Sequence, residues 1–161
     1  MESKKIVNAT LLLIKKNKKI LLGLKKRGFA KGTYNGIGGK QENGETVEQA
    51  MIRETQEEIG VTPIVYNFVG KITFDMWYKG EKQIMVMHIY TCTEYQGQIT
   101  ETEEMKPEWF DENNVPFDKM LPDDLQWFPL MLAGKKFIGN AVFNENMEMQ
   151  SYNFKEVENI Q

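Results

Sequence analysis

The sequence predicts a mixed-sheet α/β domain with helices on both faces. Three observations predict it. A mostly aliphatic and β-branched run, residues 6–14, reads as a strand buried on both faces. A sharply bounded helix with one apolar and acidic face occupies residues 46–60. Two long strand-like stretches, residues 64–75 and 83–93, then precede a second apolar helix. Strands interleaved with helices build a layered α/β domain. At 161 residues the chain fits one domain spanning 1–161. A chain of that length buries about 70% of its unfolded surface.

In the first strand Thr10 is polar in an apolar run. It is either a β-former whose hydroxyl meets backbone or a donor to a site. Residues 15–18 form a turn and residues 19–24 a second strand, which together make a hairpin. Lys25, Lys26 and Arg27 follow directly. Three cations at a strand end are a solvated edge unless an anion sits nearby. Phe29, in a Gly-flanked loop, is either a core plug or a surface on which a base can stack. Residues 34–38 are Gly-punctuated and read as a short extended segment. Asn35 is a turn-former before Gly36, or an amide able to read a purine edge.

The helix at 46–60 is the element around which the rest is organised. Thr46 and Gln49 make a capping box, and Gly60 sits where a left-handed residue ends a helix. Glu54, Glu57 and Glu58, spaced i, i+3 and i+4, share one face with Val47, Ala50 and Met51. Two carboxylates about 4 Å apart at an effective dielectric near 20 repel by roughly 4 kcal/mol. A divalent cation that prefers oxygen ligands removes that cost. Arg53, four residues before Glu57, is placed to steer its carboxylate. Gly38, Gly39 and Gly44 let the backbone approach an ion or a phosphate where a Cβ would intervene.

Beyond the helix, residues 76–82 read as the turn between the two long strands, pivoting on Gly80. Bulky groups alternate on both faces of residues 85–90, which makes that strand central. His88, the single histidine, has no second His or Cys beside it and reads as a hydrogen-bonded strand residue. Residues 94–105 form an acidic loop from which Glu104 can supply a further carboxylate. Residues 108–110 are a short strand. Asp123 or Asp124 is expected to cap the second helix, whose course is disturbed by Pro129. Residues 137–143 and 147–154 read as a closing hairpin, and the polar tail from residue 156 is expected to fray.

Composition narrows the function. A net charge of −3 argues against a bulk polyanion such as DNA as the partner, but not against a small nucleotide. One cysteine, Cys92, excludes an internal disulfide and fits a reducing, cytoplasmic setting. No stretch approaches the roughly 20 apolar residues of a membrane span, and no signal peptide is evident. Nothing in the residues demands an oligomer, and a monomer is compatible with them.

The stretch from Gly39 through Glu45 and Arg53-Glu54-Thr55-Gln56-Glu57-Glu58-Ile59-Gly60-Val61 resembles the Nudix box, G-x5-E-x7-R-E-U-x-E-E-x-G-U with U apolar. Thr55 is its one mismatch. The runs LLGLKKRGFAKGTYNGIGGK, EEMKPEWF and LPDDLQWFPLML extend the likeness to the MutT-like branch of the family. The mammalian homologues of that branch hydrolyse oxidised purine nucleoside triphosphates such as 8-oxo-dGTP.

This resemblance implies the Nudix α/β/α sandwich and a Mg²⁺-dependent nucleoside triphosphate diphosphatase, with Mn²⁺ as a substitute metal. It implies metal ligands at Glu54, Glu57, Glu58, Glu104 and the main-chain carbonyl of Gly38, with Gly39 a further contributor. Thr10, Lys25, Phe29, Asn35 and the 37–40 segment (Ile37, Gly38, Gly39, Lys40) would line the nucleotide site. Arg53 would support the catalytic glutamates, and Asp123 and Asp124 would read the base. Leu121 stands where the mammalian homologues carry a stacking tryptophan, a loss of roughly 1–3 kcal/mol of base stacking that Phe29, Phe74, Trp77 or Trp127 could offset. Two rival readings remain open. One is a Nudix hydrolase of dinucleoside polyphosphates or nucleotide sugars. The other is a non-catalytic nucleotide-sensing module, for which a broken box is expected; every charged position of the box is intact.

Overall fold

The computed structural model describes residues 4–161. Its element order is β1 (Lys5–Lys16), β2 (Lys19–Lys25), β3 (Tyr34–Asn35), α1 (Val47–Ile59), β4 (Thr62–Tyr78), β5 (Glu81–Gln96), β6 (Met105–Asp111), a 3₁₀ turn (Phe117–Lys119), α2 (Asp124–Leu132), β7 (Lys136–Phe143) and β8 (Met149–Val157). One mixed sheet runs β3-β2-β1-β5-β4-β7-β8, with β6 paired to β2. The predicted mixed-sheet α/β class is the observed one.

The sheet is built around β5, which lies parallel to β1 and antiparallel to β4. That position explains why bulky residues alternate on both of its faces. On one face Leu12, Ile14, Tyr90 and Cys92 meet Met51 and Ile59 of α1. On the other, Leu11, Leu13, Ile72 and Ile89 meet Trp127, Phe128 and Met131 of α2. Each helix buries one apolar stripe against one sheet face, which is the condition for a layered domain.

Several boundaries differ from expectation. The turn between β4 and β5 is not residues 76–82 but Lys79 and Gly80 alone, with φ of 51° and 80°. Strand pairing continues through Trp77↔Lys82 and Tyr78↔Glu81. A two-residue turn with both φ positive matches strand twist, so the hairpin needs no longer loop. The tail from residue 156 does not begin to fray there. Glu156 and Val157 pair with Phe137 and Lys136, and Lys71 Nζ donates to the Gln161 carbonyl at 3.2 Å.

Asp123 occupies the N-cap position of α2 but makes no side-chain capping bond, because its carboxylate is engaged elsewhere. Pro129 lies inside α2. Its missing N–H leaves the carbonyl of Leu125 unserved, and Leu125 is an exposed residue that water can reach.

Candidate active site

Helix α1 is held as its sequence dictates. Thr46 Oγ1 accepts from the Gln49 N–H at 3.1 Å and Gln49 Oε1 accepts from the Thr46 N–H at 2.8 Å. Gly60 closes the helix at φ 77°. Thr55, the mismatch in the box, is fully buried and its hydroxyl donates to the Met51 carbonyl at 2.7 Å. A β-branched hydroxyl therefore fits an aliphatic position with its polar atom satisfied.

Arg53 organises the carboxylates. Its Nη1 contacts Glu54 at 3.0 Å and Glu57 at 3.2 Å. Its Nε and Nη2 donate to the two oxygens of Glu45 at 3.0 and 2.8 Å, and Nη2 also reaches the Lys40 carbonyl at 3.1 Å. Arg53 lowers the pKa of Glu45. Burial raises that of Glu54, against the pull of Arg53. Burial, with the Glu54 charge behind it, pushes Glu58 up to about 8. The Gly38 N–H faces Glu58 Oε2 at 3.4 Å.

Glu104 approaches from the loop before β6, where it pairs with Arg27, and that guanidinium lowers its pKa. Thr102 ties the same loop to α1 by donating to the Glu58 carbonyl at 2.7 Å. Glu54, Glu57, Glu58, Glu103 and Glu104 line one polar cavity of about 500 Å³. Among the described residues no three of these side chains converge at ligating distance, since Arg53 and Arg27 hold their oxygens instead.

The donor set nevertheless fits a hard divalent cation. Every donor is oxygen. The buried Glu58 carries a charge penalty that a cation would offset. The Gly39 carbonyl accepts from the Thr10 N–H at 2.9 Å, whereas the Gly38 carbonyl takes no hydrogen bond from a described residue and is left for a ligand.

Glu58 and Glu104 also border a second cavity of about 470 Å³ between the sheet and α2. Thr10, Lys25, Phe29, Asn35, Gly38, Gly39, Lys40, Leu121, Asp123 and Asp124 all line it. Ile37 does not: it is fully buried, and its N–H and C=O both pair with Leu12. Asn35 Oδ1 accepts from the Gly36 N–H at 2.9 Å, so the turn-forming role is realised with the amide NH₂ left over. Lys25 forms no ion pair with a described residue. Of the aromatics named to offset Leu121, Phe29, Phe74 and Trp127 line the cavity, whereas Trp77 does not.

At the far end, Asp123 and Asp124 are each only 3% exposed. Trp127 Nε1 donates to Asp123 Oδ2 at 2.9 Å, and Asp124 Oδ2 has no partner. Burial raises both pKa values, and the Asp123 charge raises Asp124 further. A neutral, donor-capable carboxyl beside an acceptor is the outcome for two acids sharing a dry site.

Sequence reasoning missed the wall formed by Met76, Met85, Met87, Phe143, Met147 and Tyr78. Period-2 alternation in residues 74–78 and 85–89 carried part of that signal. Which face looked onto a cavity depended on pairing between distant strands.

A sandwich with an acidic helix at one end of a cleft and a buried carboxyl pair at the other defines a phosphoanhydride hydrolase class of site. The NUDIX domain matches residues 4–131, and the chain belongs to the Nudix family, whose members act on small nucleotide-type substrates with a divalent cation. It is 42% identical over 151 residues to the oxidized purine nucleoside triphosphate hydrolase of Danio rerio, covering 94% of this chain and 96% of that one. It is 41% identical to the protein of the same name from Mus musculus over the same shares. The fold matches a crystal structure of a MutT protein from Bacillus halodurans with a TM-score of 0.81 at 24% identity, covering 92% of this chain and 97% of that chain. None of the described helices is long and apolar enough to cross a membrane.

Proposed function

We propose that this protein is a Mg²⁺-dependent nucleoside triphosphate diphosphatase acting on oxidised purine nucleotides. It converts 8-oxo-dGTP and water to 8-oxo-dGMP and diphosphate. The observation that supports this reading is a pair of adjoining cavities that share Glu58 and Glu104, one lined by the oxygen donors of α1 and the other reaching a buried Asp123–Asp124 pair. The names of the zebrafish and mouse relatives support the choice of substrate.

Glu54, Glu57, Glu58, Glu104 and the Gly38 carbonyl would hold Mg²⁺, or Mn²⁺ in its place. When bound, the ion neutralises charge on the polyphosphate and lowers the pKa of water. Arg53 orients the glutamates from behind. Glu54 or Glu58 orients the attacking water and takes its proton. Water adds to the α or β phosphorus, and the bond from that phosphorus to the α–β bridging oxygen breaks. The bridging oxygen leaves with diphosphate in the first case or with the nucleoside monophosphate in the second. Lys25, which lines the cavity, meets phosphate oxygens or a base carbonyl. Label from ¹⁸O-water recovered in diphosphate places attack at the β phosphorus; label in the monophosphate places it at α.

At the base end, a protonated Asp124 donates to a carbonyl while Asp123 accepts from ring N–H groups. An 8-oxopurine offers both kinds of edge. The test is turnover of 8-oxo-dGTP against dGTP, dATP and ATP. A clear preference in kcat/KM for the oxidised nucleotide is expected. Equal or lower turnover of it, or faster hydrolysis of a dinucleoside polyphosphate or nucleotide sugar, overturns the substrate. Tight nucleotide binding with no turnover in Mg²⁺ overturns catalysis and favours a sensor.

A further inference from the structure

Three segments distant in sequence meet at the ring of Tyr78. The two-residue Lys79-Gly80 turn makes Tyr78↔Glu81 the closing pair of the β4–β5 hairpin, so the register of Tyr78 is fixed. Phe74, Met76 and Tyr78, two residues apart, point to one face and line the cavity. Trp77 points away, with Lys82 Nζ 5.5 Å from its ring centroid. Phe29, from the loop after β2, stands edge-on to Tyr78 with ring centroids 6.0 Å apart. Lys40, from the loop before α1, places its Nζ 4.0 Å from the Tyr78 centroid.

The position of Lys40 is unexpected on electrostatic grounds. Its carbonyl is bonded to Arg53, so its backbone adjoins the acidic helix. Its ammonium nevertheless forms no ion pair with a described residue. Arg53 has taken Glu45, Glu54 and Glu57, and the Tyr78 ring offers the ammonium a partner on the cavity side. A cation on an aromatic face is worth about 0.5–2 kcal/mol, more as water is excluded.

We propose that Tyr78 is a positioning residue: its ring holds the Lys40 ammonium at the cavity rim, off the carboxylates of α1, where it meets the polyphosphate of the substrate. This rests on reading the cavity as a nucleoside triphosphate site. Two consequences follow from the geometry. The α1 carboxylates gain no lysine partner beyond the Arg53 contacts they already make, and the phosphate chain gains a preoriented positive charge without an entropic cost at binding. The hydroxyl of Tyr78 is not required; the ring face is.

The experiment compares Tyr78→Leu, Tyr78→Phe, Lys40→Met, Lys40→Arg and Lys79→Met in the full chain. It reads kinetics on a nucleoside triphosphate that the wild type hydrolyses, and calorimetric affinity for the monophosphate of the same base. Tyr78→Leu is expected to raise KM about tenfold, the factor for ~1.4 kcal/mol. Its kcat and its monophosphate affinity should stay within about twofold of wild type. Tyr78→Phe should match wild type. In a Lys40→Met background, Tyr78→Leu should add no further loss.

Lys79, whose Nζ lies 5.4 Å from the same ring but at the hairpin tip, is the charge control, and Lys79→Met should be silent. Equal losses on triphosphate and monophosphate would make Tyr78 a base wall and overturn the proposal. So would an unchanged KM, or losses that add across Tyr78 and Lys40. If Tyr78→Leu does not fold, Lys40→Met carries the test: it must reproduce the KM effect and Lys40→Arg must restore it, or the proposal fails. A wild type that turns over no nucleoside triphosphate sinks the function above instead. Comparing triphosphate with monophosphate affinity then still reads the role of Tyr78.

Discussion

Glu58 shows how much of the site's chemistry is set by burial. The residue is 8% exposed, and its carboxyl is held at about 8 against an ordinary 4.5. The folded state therefore binds this proton more tightly than the unfolded chain does. Its stabilising contribution is complete below about pH 4.5 and is lost as pH rises towards 8. Asp123 and Asp124 act in the same direction. In chelator, the melting temperature is expected to fall between pH 5 and pH 8, with a shallower fall in Glu58→Gln; a profile identical in the two proteins would remove Glu58 as the cause. Glu57 is the contrasting case. Its side chain is 57% exposed and its partner is Arg53 at 3.2 Å, an exposed ion pair worth about 0–1 kcal/mol. Glu57→Gln should therefore leave the melting temperature and circular dichroism almost unchanged. Its kcat with Mg²⁺ is expected to drop by several orders of magnitude. Near-wild-type turnover would show that Glu57 holds no metal.

At the scale of elements, the segment joining the 34–38 strand region to α1 is constrained by space. A Cβ on Gly38 would lie 1.8 Å from the Thr10 carbonyl oxygen, which is backbone and cannot retreat. Gly38→Ala is expected to cost about 3 kcal/mol or more, above the usual range for overpacking. A Cβ on Gly39 would lie 2.4 Å from Glu54 Cδ, the mobile end of a side chain. Gly39→Ala should thus fold with a small change in denaturant midpoint but lose turnover, because Glu54 is displaced. Equal destabilisation by the two substitutions would contradict this division. Helix α1 and its glycine-lined approach were legible in the sequence because their determinants are local: a capping box, an i, i+3, i+4 face and a left-handed stop. The β4–β5 turn was not, since Lys79 adopts a positive φ that its residue type does not announce. The role of Asp123 as a partner of Trp127, not a cap, was equally hidden. The i to i+4 spacing is local, but the burial that turns the carboxylate to Trp127 comes from packing α2 on the opposite sheet face.

The whole molecule places its two recognition chemistries on opposite layers. The carboxylates of α1 belong to one sheet face, the Asp123–Asp124 pair to the helix packed on the other, and the cavity bordered by Glu58 and both aspartates is lined by Ala9, Thr10 and Leu11 in the middle of β1. No hydrogen bond or ion pair links Asp123 or Asp124 to the α1 glutamates among the described residues. Substitutions at the two ends should therefore act almost independently. Asp124→Asn removes a cavity-lining carboxyl whose buried Oδ2 has no partner, and Asp123→Asn changes an acceptor already fixed by Trp127. Both are expected to alter which base is preferred, with kcat/KM for the oxidised nucleotide falling about tenfold or more relative to dATP, the usual cost of unpairing a buried polar group. The same factor should appear in the affinity for the corresponding monophosphate, which lacks the diphosphate end. Glu57→Gln should leave that monophosphate affinity within about twofold while abolishing turnover. A uniform loss on every nucleotide in the aspartate variants, accompanied by a lower melting temperature, would assign the pair to folding of α2 and leave base choice to the methionine and aromatic wall.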